Sequence, residues 1–337
     1  MTKKSICILP TEPLARSGVG VLAGRWARSL RLADWEVRLH RPPTPDHIDH
    51  TLLRVVTRAQ RTGATVIVVG LPADKYQAQA VVTTLGSASE RAVLLWDRAG
   101  HAPDRSAEGL SGLDRLAECW VLNPLFRATL KHFVPNAKVR VVGLAIPDVF
   151  FESRLPSASR RPRAVFLGRF SATKGARFLA ERWAEEVWPA TGVPLTLAGR
   201  GMSDGIDERA IAHLERCNPG IQTVRLMSEK ERARFLRNAA VAVFPARHDY
   251  LPQALAETIA VGTAVVATDI PGHRPLAPPA TVSNVLRPDL ANLTEAVSDV
   301  LDRPEAALQR ALTGRNLVRE VHSVAATRQE LSRILTA

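Results

Sequence analysis

Lys174 and Arg169 stand close together in VFLGRFSATKG (165–175), a run that reads as a strand, a glycine-bearing loop and the start of a helix. A guanidinium and a mobile ammonium beside a helix N-terminus make a site for a diphosphate, because free N–H groups and the helix dipole add to two positive side chains. Only seven of the 45 basic residues are lysines, so Lys174 carries more weight than any single arginine.

Asp249 and Glu257 follow in VFPARHDYLPQALAE (243–257). Asp249 lies in a loop after a strand, and Pro252 suits the first turn of the helix that holds Glu257. If the intervening chain were all helical, the two carboxylates would be at most roughly 12 Å apart, which suits two ends of one extended ligand and not a shared proton. Glu257 is set among Ala254, Leu255, Ile259 and Ala260, so its carboxylate needs a partner, and ligand hydroxyls would serve.

Near the chain start, PTEPLARSGVG (10–20) leads from a strand into a helix. Gly18 and Gly20 let the backbone approach a ligand, although the dinucleotide fingerprint is incomplete because Ala23 stands where a third glycine would fall. The later run AVGTAVVATDIPGH (260–273) reads as a helix stop, a buried strand and a glycine loop of structural character. His47 and His50, in DHIDH, read as part of an acidic helix start and not as metal ligands, and no DxD triplet occurs.

These residues need rigid elements beneath them. Short β-branched runs alternate with helical patterns along the whole chain, the rhythm of βαβ units and parallel sheets. Strands are expected at 5–9, 36–40, 65–69, 92–96, 119–122 and 139–142, then at 164–167, 194–198, 222–226, 241–244 and 264–267. Helices are expected at 21–32, 51–60, 176–187, 207–215, 229–238 and 252–260, with a helical tail from 292 that breaks at Arg303-Pro304. Between the two series, ESRLPSASRRPR (152–163) has linker composition. The expected architecture is α/β, with two doubly wound domains facing across a cleft: 1–150, a linker at 151–163, 164–320, and a C-terminal helix at 321–337 that can return to the first domain.

Composition narrows the function classes. The chain has 337 residues, 46% hydrophobic and 23% charged, enough for two packed cores. The net charge of +12 is spread over both halves with no basic tail, which speaks against nucleic acid as a partner. Cys7, Cys119 and Cys217 lie far apart, so no disulfide framework or zinc ribbon is suggested, and a reducing cytoplasm fits. No run approaches the roughly 18 apolar residues of a membrane span. Membrane association is open but not indicated.

GRFSATKG, LTLAGRG (195–201) and AAVAVFPARHDYLPQALAETIAVGTAVVATDIPG together resemble the donor-binding domain of glycosyltransferase family 4, enzymes of the GT-B fold. SGVGVLAGRWARSL and the segment 119–151, ending VRVVGLAIPDVFF, resemble the acceptor half of that family. The resemblance implies metal-independent transfer of a sugar from a nucleoside-diphosphate sugar, with retention of anomeric configuration. It implies no cofactor, only the nucleotide sugar as co-substrate. Arg169 and Lys174 would hold the diphosphate, with backbone N–H groups around Leu251 and Gln253. Asp249 would face the transferred sugar and Glu257 the ribose, while Gly18 and Gly20 would let the N-terminal loop close over the donor.

Two departures from the family pattern stand out. Asp249 replaces the usual Glu, followed by Tyr250 where Gly is usual, and Trp96-Asp97 replaces the His-Asp found after the fourth strand. Asp97 is the preferred polar group near the acceptor, a solvated loop position being the favoured reading of His101 over a substitute for that histidine, and Arg16, Trp96, Asp97, Arg98 and His101 are the acceptor candidates. A small-molecule acceptor of natural-product or aminocyclitol type is preferred over an envelope glycolipid. Other readings remain open: a pseudo-glycosyltransferase or nucleotide-sugar epimerase on the same fold, and a sugar-nucleotide-binding scaffold without activity.

Overall fold

The β-branched runs form two separate all-parallel sheets of six strands each. The structure is a computed structural model that describes residues 5–11, 18–42, 48–70, 75–87, 92–96, 112, 116, 118–133, 135–152, 162–200, 205–226, 228–278, 281–282 and 284–336. The chain divides into two compact units, Met1–Ala145 with Val321–Ala337, and Ile146–Glu320.

In the first unit the elements run β1 (Ser5–Pro10), α1 (Gly18–Arg31), β2 (Glu36–Leu39), α2 (Ile48–Thr62), β3 (Thr65–Val69), α3 (Lys75–Ser87), β4 (Ala92–Trp96), β5 (Glu118–Val121), α4 (Arg127–Phe133) and β6 (Lys138–Val141). The sheet order is β2-β1-β3-β4-β5-β6, with β6 at an edge. Strands covered on both faces have no need for alternation, and Ile6, Ile8, Ile67 and Val68 are fully buried. Each such side chain contributes about 1.5–3 kcal/mol by leaving water.

The second unit runs β7 (Ala164–Leu167), α5 (Ala176–Arg182), a π-helical turn (Trp183–Val187), α6 (Trp188–Thr191), β8 (Leu195–Ala198), α7 (Ile206–Cys217), β9 (Ile221–Val224), α8 (Glu229–Arg237), β10 (Val241–Phe244), α9 (Gln253–Val261), β11 (Ala264–Thr268), β12 (Asn284–Leu286), α10 (Leu293–Asp302) and α11 (Pro304–His322). Its order is β12-β11-β10-β7-β8-β9, so the winding reverses between β7 and β10. Those two strands pair in parallel, Val241 with Ala164 and Ala242 with Val165. Helix α12 (Val324–Thr336) belongs to the first unit, where it packs on α1.

The sequence reading placed the first boundary at 150; in the structure it lies at 145/146. Residues 146–150 follow the second unit because Phe150 is fully buried beneath the Arg232 guanidinium, 5.9 Å from its ring centre, and Val149 O accepts from Arg237 Nη2 at 2.9 Å. Strand β12 was not anticipated. The helical tail breaks at Arg303 as expected and again at Ser323. Among the described residues no helix is long and apolar enough to cross a membrane.

Candidate functional site

The reversal between β7 and β10 sets two loops side by side at the carboxyl ends of neighbouring strands, where open parallel sheets take ligands. The loop after β7 carries Arg169 and Lys174, and the loop after β10 carries Asp249. Close backbone approach holds them together. Gly175 has φ 71°, and a Cβ there would stand 2.8 Å from Pro245 O, so glycine meets both the left-handed conformation and the approach. Arg247 N donates to Thr173 O at 3.0 Å, tying one loop to the other.

The loop after β11 completes the arrangement. Thr268 Oγ1 donates to Ala246 O at 2.6 Å. A Cβ on Gly272 would come within 2.0 Å of Asp249 O, so no side chain fits where the two loops cross. Gly272→Ala is therefore expected to destabilise the second unit by about 1–3 kcal/mol, the scale for inserting a methyl into packed structure. A melting temperature equal to that of the unsubstituted chain would show that this crossing is soft.

Lys174 Nζ and the Asp249 carboxylate form an ion pair through Oδ2. The Asp249 side chain is 8% exposed and that of Lys174 20%, so the pair is only lightly screened. Asp249 Oδ1 also accepts from Tyr250 N at 2.9 Å, which fixes the plane of the carboxylate. Arg169, on the same loop as Lys174, is exposed.

His273 is the unanticipated member. It is buried, Nδ1 lies 2.9 Å from Thr268 O, and Nε2 has no hydrogen-bond partner among the described residues. Since a carbonyl only accepts, Nδ1 carries the proton and the neutral ring leaves a lone pair on Nε2. Burial pushes the imidazole below its ordinary pKa; Asp249 and Asp269 oppose that shift, and Lys174 adds to it.

Glu257 lies one turn into α9 and is buried, as the apolar residues around it required. Its partner is a protein side chain: Arg232 of α8 donates from Nε to Oε2 at 3.0 Å and from Nη2 to Oε1 at 3.1 Å. The need for a partner was legible, but its identity was not. The arginine that meets it lies on another helix and is one of thirty-eight arginines, the forty-five basic residues less seven lysines. A capping box at Ser228 and Glu231 sets the start of α8 and so the height of Arg232. Arg232→Ala would leave Glu257 buried without its counterion, at a cost of about 2–3 kcal/mol, below the fully buried limit because the Arg232 side chain is 20% exposed. Chemical unfolding measures this, and a loss under roughly 0.5 kcal/mol would mean that the carboxylate does not depend on the pair.

Gln253 is the first residue of α9, and Leu251, just before it, is buried. The N-cap position is Pro252, which supplies no side-chain hydrogen bond to the helix start. In the first unit Gly18 and Gly20 open α1. Trp96 ends β4. Arg16, Asp97, Arg98 and His101 lie outside the described residues, as does His47.

Residues 161–303 match the family model described as Glycosyl transferases group 1. Over 171 residues the chain is 30% identical to glycogen synthase of Mycobacterium tuberculosis, covering 48% of this chain and 41% of that one. The chain thus spans less than half the length of the curated relatives it matches. Among solved structures it resembles sucrose-phosphate synthase from Thermosynechococcus elongatus, with 16% identity over 99% of this chain and 98% of that one at a TM-score of 0.76. It also resembles Anabaena HepE, solved in complex with UDP, with 13% identity over 98% of this chain and 99% of that one at a TM-score of 0.71. The chain has the GT-B fold, and its residues 161–303 are a match to Glycosyl transferases group 1.

Proposed function

We propose that this protein is a glycosyltransferase that takes a sugar from a nucleoside-diphosphate sugar and passes it, with retention of configuration, to a hydroxyl of a small-molecule acceptor. The observation that carries the reading is the Lys174–Asp249 pair at the winding reversal of the second sheet, close in sequence to the start of α9. Lys174, Arg169 and the N–H groups at Leu251 and Gln253 meet the diphosphate. Positive charge there stabilises the negative charge that builds on the leaving phosphate as the anomeric carbon becomes cationic.

Asp249 holds Lys174 until the donor arrives. An ammonium has three N–H donors, so Lys174 can bond phosphate oxygen without leaving the carboxylate. Asp249 then presents its remaining lone pairs to hydroxyls of the sugar, and Arg232 fixes Glu257 so that it faces the ribose. Displacement on one face of the sugar needs no metal ion, because side-chain and backbone donors supply the charge stabilisation. The first unit, with Gly18 and Gly20 at the head of α1, is assigned to the acceptor.

The relative solved with UDP supports uridine diphosphate as the first probe. Thermal-shift screening with uridine, adenosine and guanosine diphosphates tests the donor site, since a ligand that binds only the folded state raises its melting temperature by mass action. Donor cleavage followed by proton NMR of the anomeric centre then tests transfer and retention. Absence of any shift with all three nucleotides, or an inverted product, would refute the corresponding part of the proposal.

A further inference from the structure

From Cys119 to Pro147 the sequence contains no acidic residue, yet it carries Arg127, Lys131, Lys138 and Arg140. The fold gathers these four cations. Arg127 and Lys131 are four apart on α4 and share a face, while Lys138 and Arg140 are two apart on the edge strand β6 and also share one. Together with Pro124 they line a cavity of about 540 Å³.

The charges are differently engaged. Lys131 Nζ donates to Pro135 O at 2.8 Å and Ala137 O at 2.6 Å, which aims the ammonium without neutralising it and leaves a third N–H. Arg140 is paired with Glu118, whose carboxylate also accepts from Trp120 Nε1 at 2.8 Å. Among the described residues Arg127 and Lys138 have no ion-pair partner, and both are exposed. Among the described residues, three of the four cations lining this cavity therefore have no ion-pair partner, and the one nearby carboxylate, Glu118, is taken by Arg140. Leu125, beside Pro124 in the chain, is 50% exposed and offers apolar surface next to them.

We infer that this cavity binds a phosphomonoester, its phosphate seated among Arg127, Lys131 and Lys138 and its organic part toward Pro124 and Leu125. The volume lies within the roughly 300–1,000 Å³ usual for organic ligands and is too large for a bare phosphate. A doubly charged phosphate matches converging cations better than a carboxylate does, and arginine offers it paired donors. The site lies in the first unit and does not depend on the donor site at Lys174 or on the proposed activity.

The test uses the full chain with Lys174→Ala, so that phosphate binding in the second unit does not contribute. Glycerol 3-phosphate, titrated by calorimetry, probes a soluble ligand. Flotation with vesicles of equal parts phosphatidic acid and phosphatidylcholine probes the same group on a lipid. Binding to either probe is expected, weakened at least about tenfold by Arg127→Ser with Lys138→Ser, and further weakened by salt. Both residues are exposed, so the double variant should keep its melting temperature. Response to glycerol 3-phosphate alone assigns a soluble phosphoester, and response to vesicles alone assigns a lipid headgroup. The inference is overturned if neither probe binds, if the double variant binds like its parent, or if pure phosphatidylcholine vesicles capture the chain equally well.

Discussion

Lys174→Ala is expected to lower turnover by about 10²–10³, the scale for removing one preorganised charge from a developing anion. The ammonium stands at the winding reversal of the second sheet, paired with Asp249 and lightly exposed, so its field is weakly screened. On the same proposal Arg169→Ala, at an exposed position, should fall on the same scale. Near-normal turnover in both variants would remove the diphosphate site from this loop. Asp249→Asn separates the two functions of the pair. It releases Lys174 from its carboxylate, so nucleoside diphosphate should bind as tightly as before or a few-fold more tightly, while turnover falls because the sugar loses its acceptor. Weaker nucleotide binding in Asp249→Asn would show that Lys174 reaches the phosphate only while the carboxylate holds it.

Much of this site was legible because it follows a strand-to-loop rule. Every strand that begins with a β-branched or alanine-rich run, such as Ala164–Leu167 or Val241–Phe244, could be placed, and the residues just beyond the strand ends were the natural candidates. The meeting of Lys174 and Asp249, 75 positions apart, follows from β7 and β10 being neighbours. Strand β12 escaped because Asn284–Leu286 is three residues long, too short for any period to register.

What could not be read are the partners that tertiary packing chooses. Arg232 looks like any other arginine of α8 until Glu257 is seen opposite it. His273 closes a glycine loop of structural appearance, and only the fold shows its ring buried beside the Lys174–Asp249 pair with one nitrogen unmatched. The basic cavity was hidden by the scale of the charge count. Averaged over half a chain the excess looks diffuse, whereas the acid-free run from Cys119 to Pro147 folds four cations onto one spot. The domain boundary moved for a similar reason: Phe150 reads as the end of the first half, but its ring is buried under Arg232.

His322 makes the first unit sensitive to acid. The irregular segment after β6 is pinned by side chains: Trp26 Nε1 donates to Gly143 O at 2.9 Å, Thr327 Oγ1 accepts from Ala145 N at 3.0 Å, and His322 Nδ1 accepts from Leu144 N at 3.3 Å. To accept, Nδ1 must be unprotonated, so a proton arriving there would set two donors against each other in a buried position. Burial accordingly holds the imidazole at about 4, against an ordinary 6.5. The unfolded chain binds this proton first as pH falls, so the stabilisation is complete above pH 6.5 and is lost progressively down to about 4. That gap corresponds to about 3 kcal/mol, on the order of a hundredfold in the folding equilibrium. His40, also in the first unit, is lowered by burial and nearby arginines and titrates in the same direction, so the comparison must be with a variant. His322→Gln can keep the hydrogen bond through Oε1 and cannot titrate. Urea unfolding at neutral pH and near pH 4 should show the acid loss smaller by about 3 kcal/mol in His322→Gln. Parallel losses in the variant and its parent would mean that the acid sensitivity of this unit arises elsewhere.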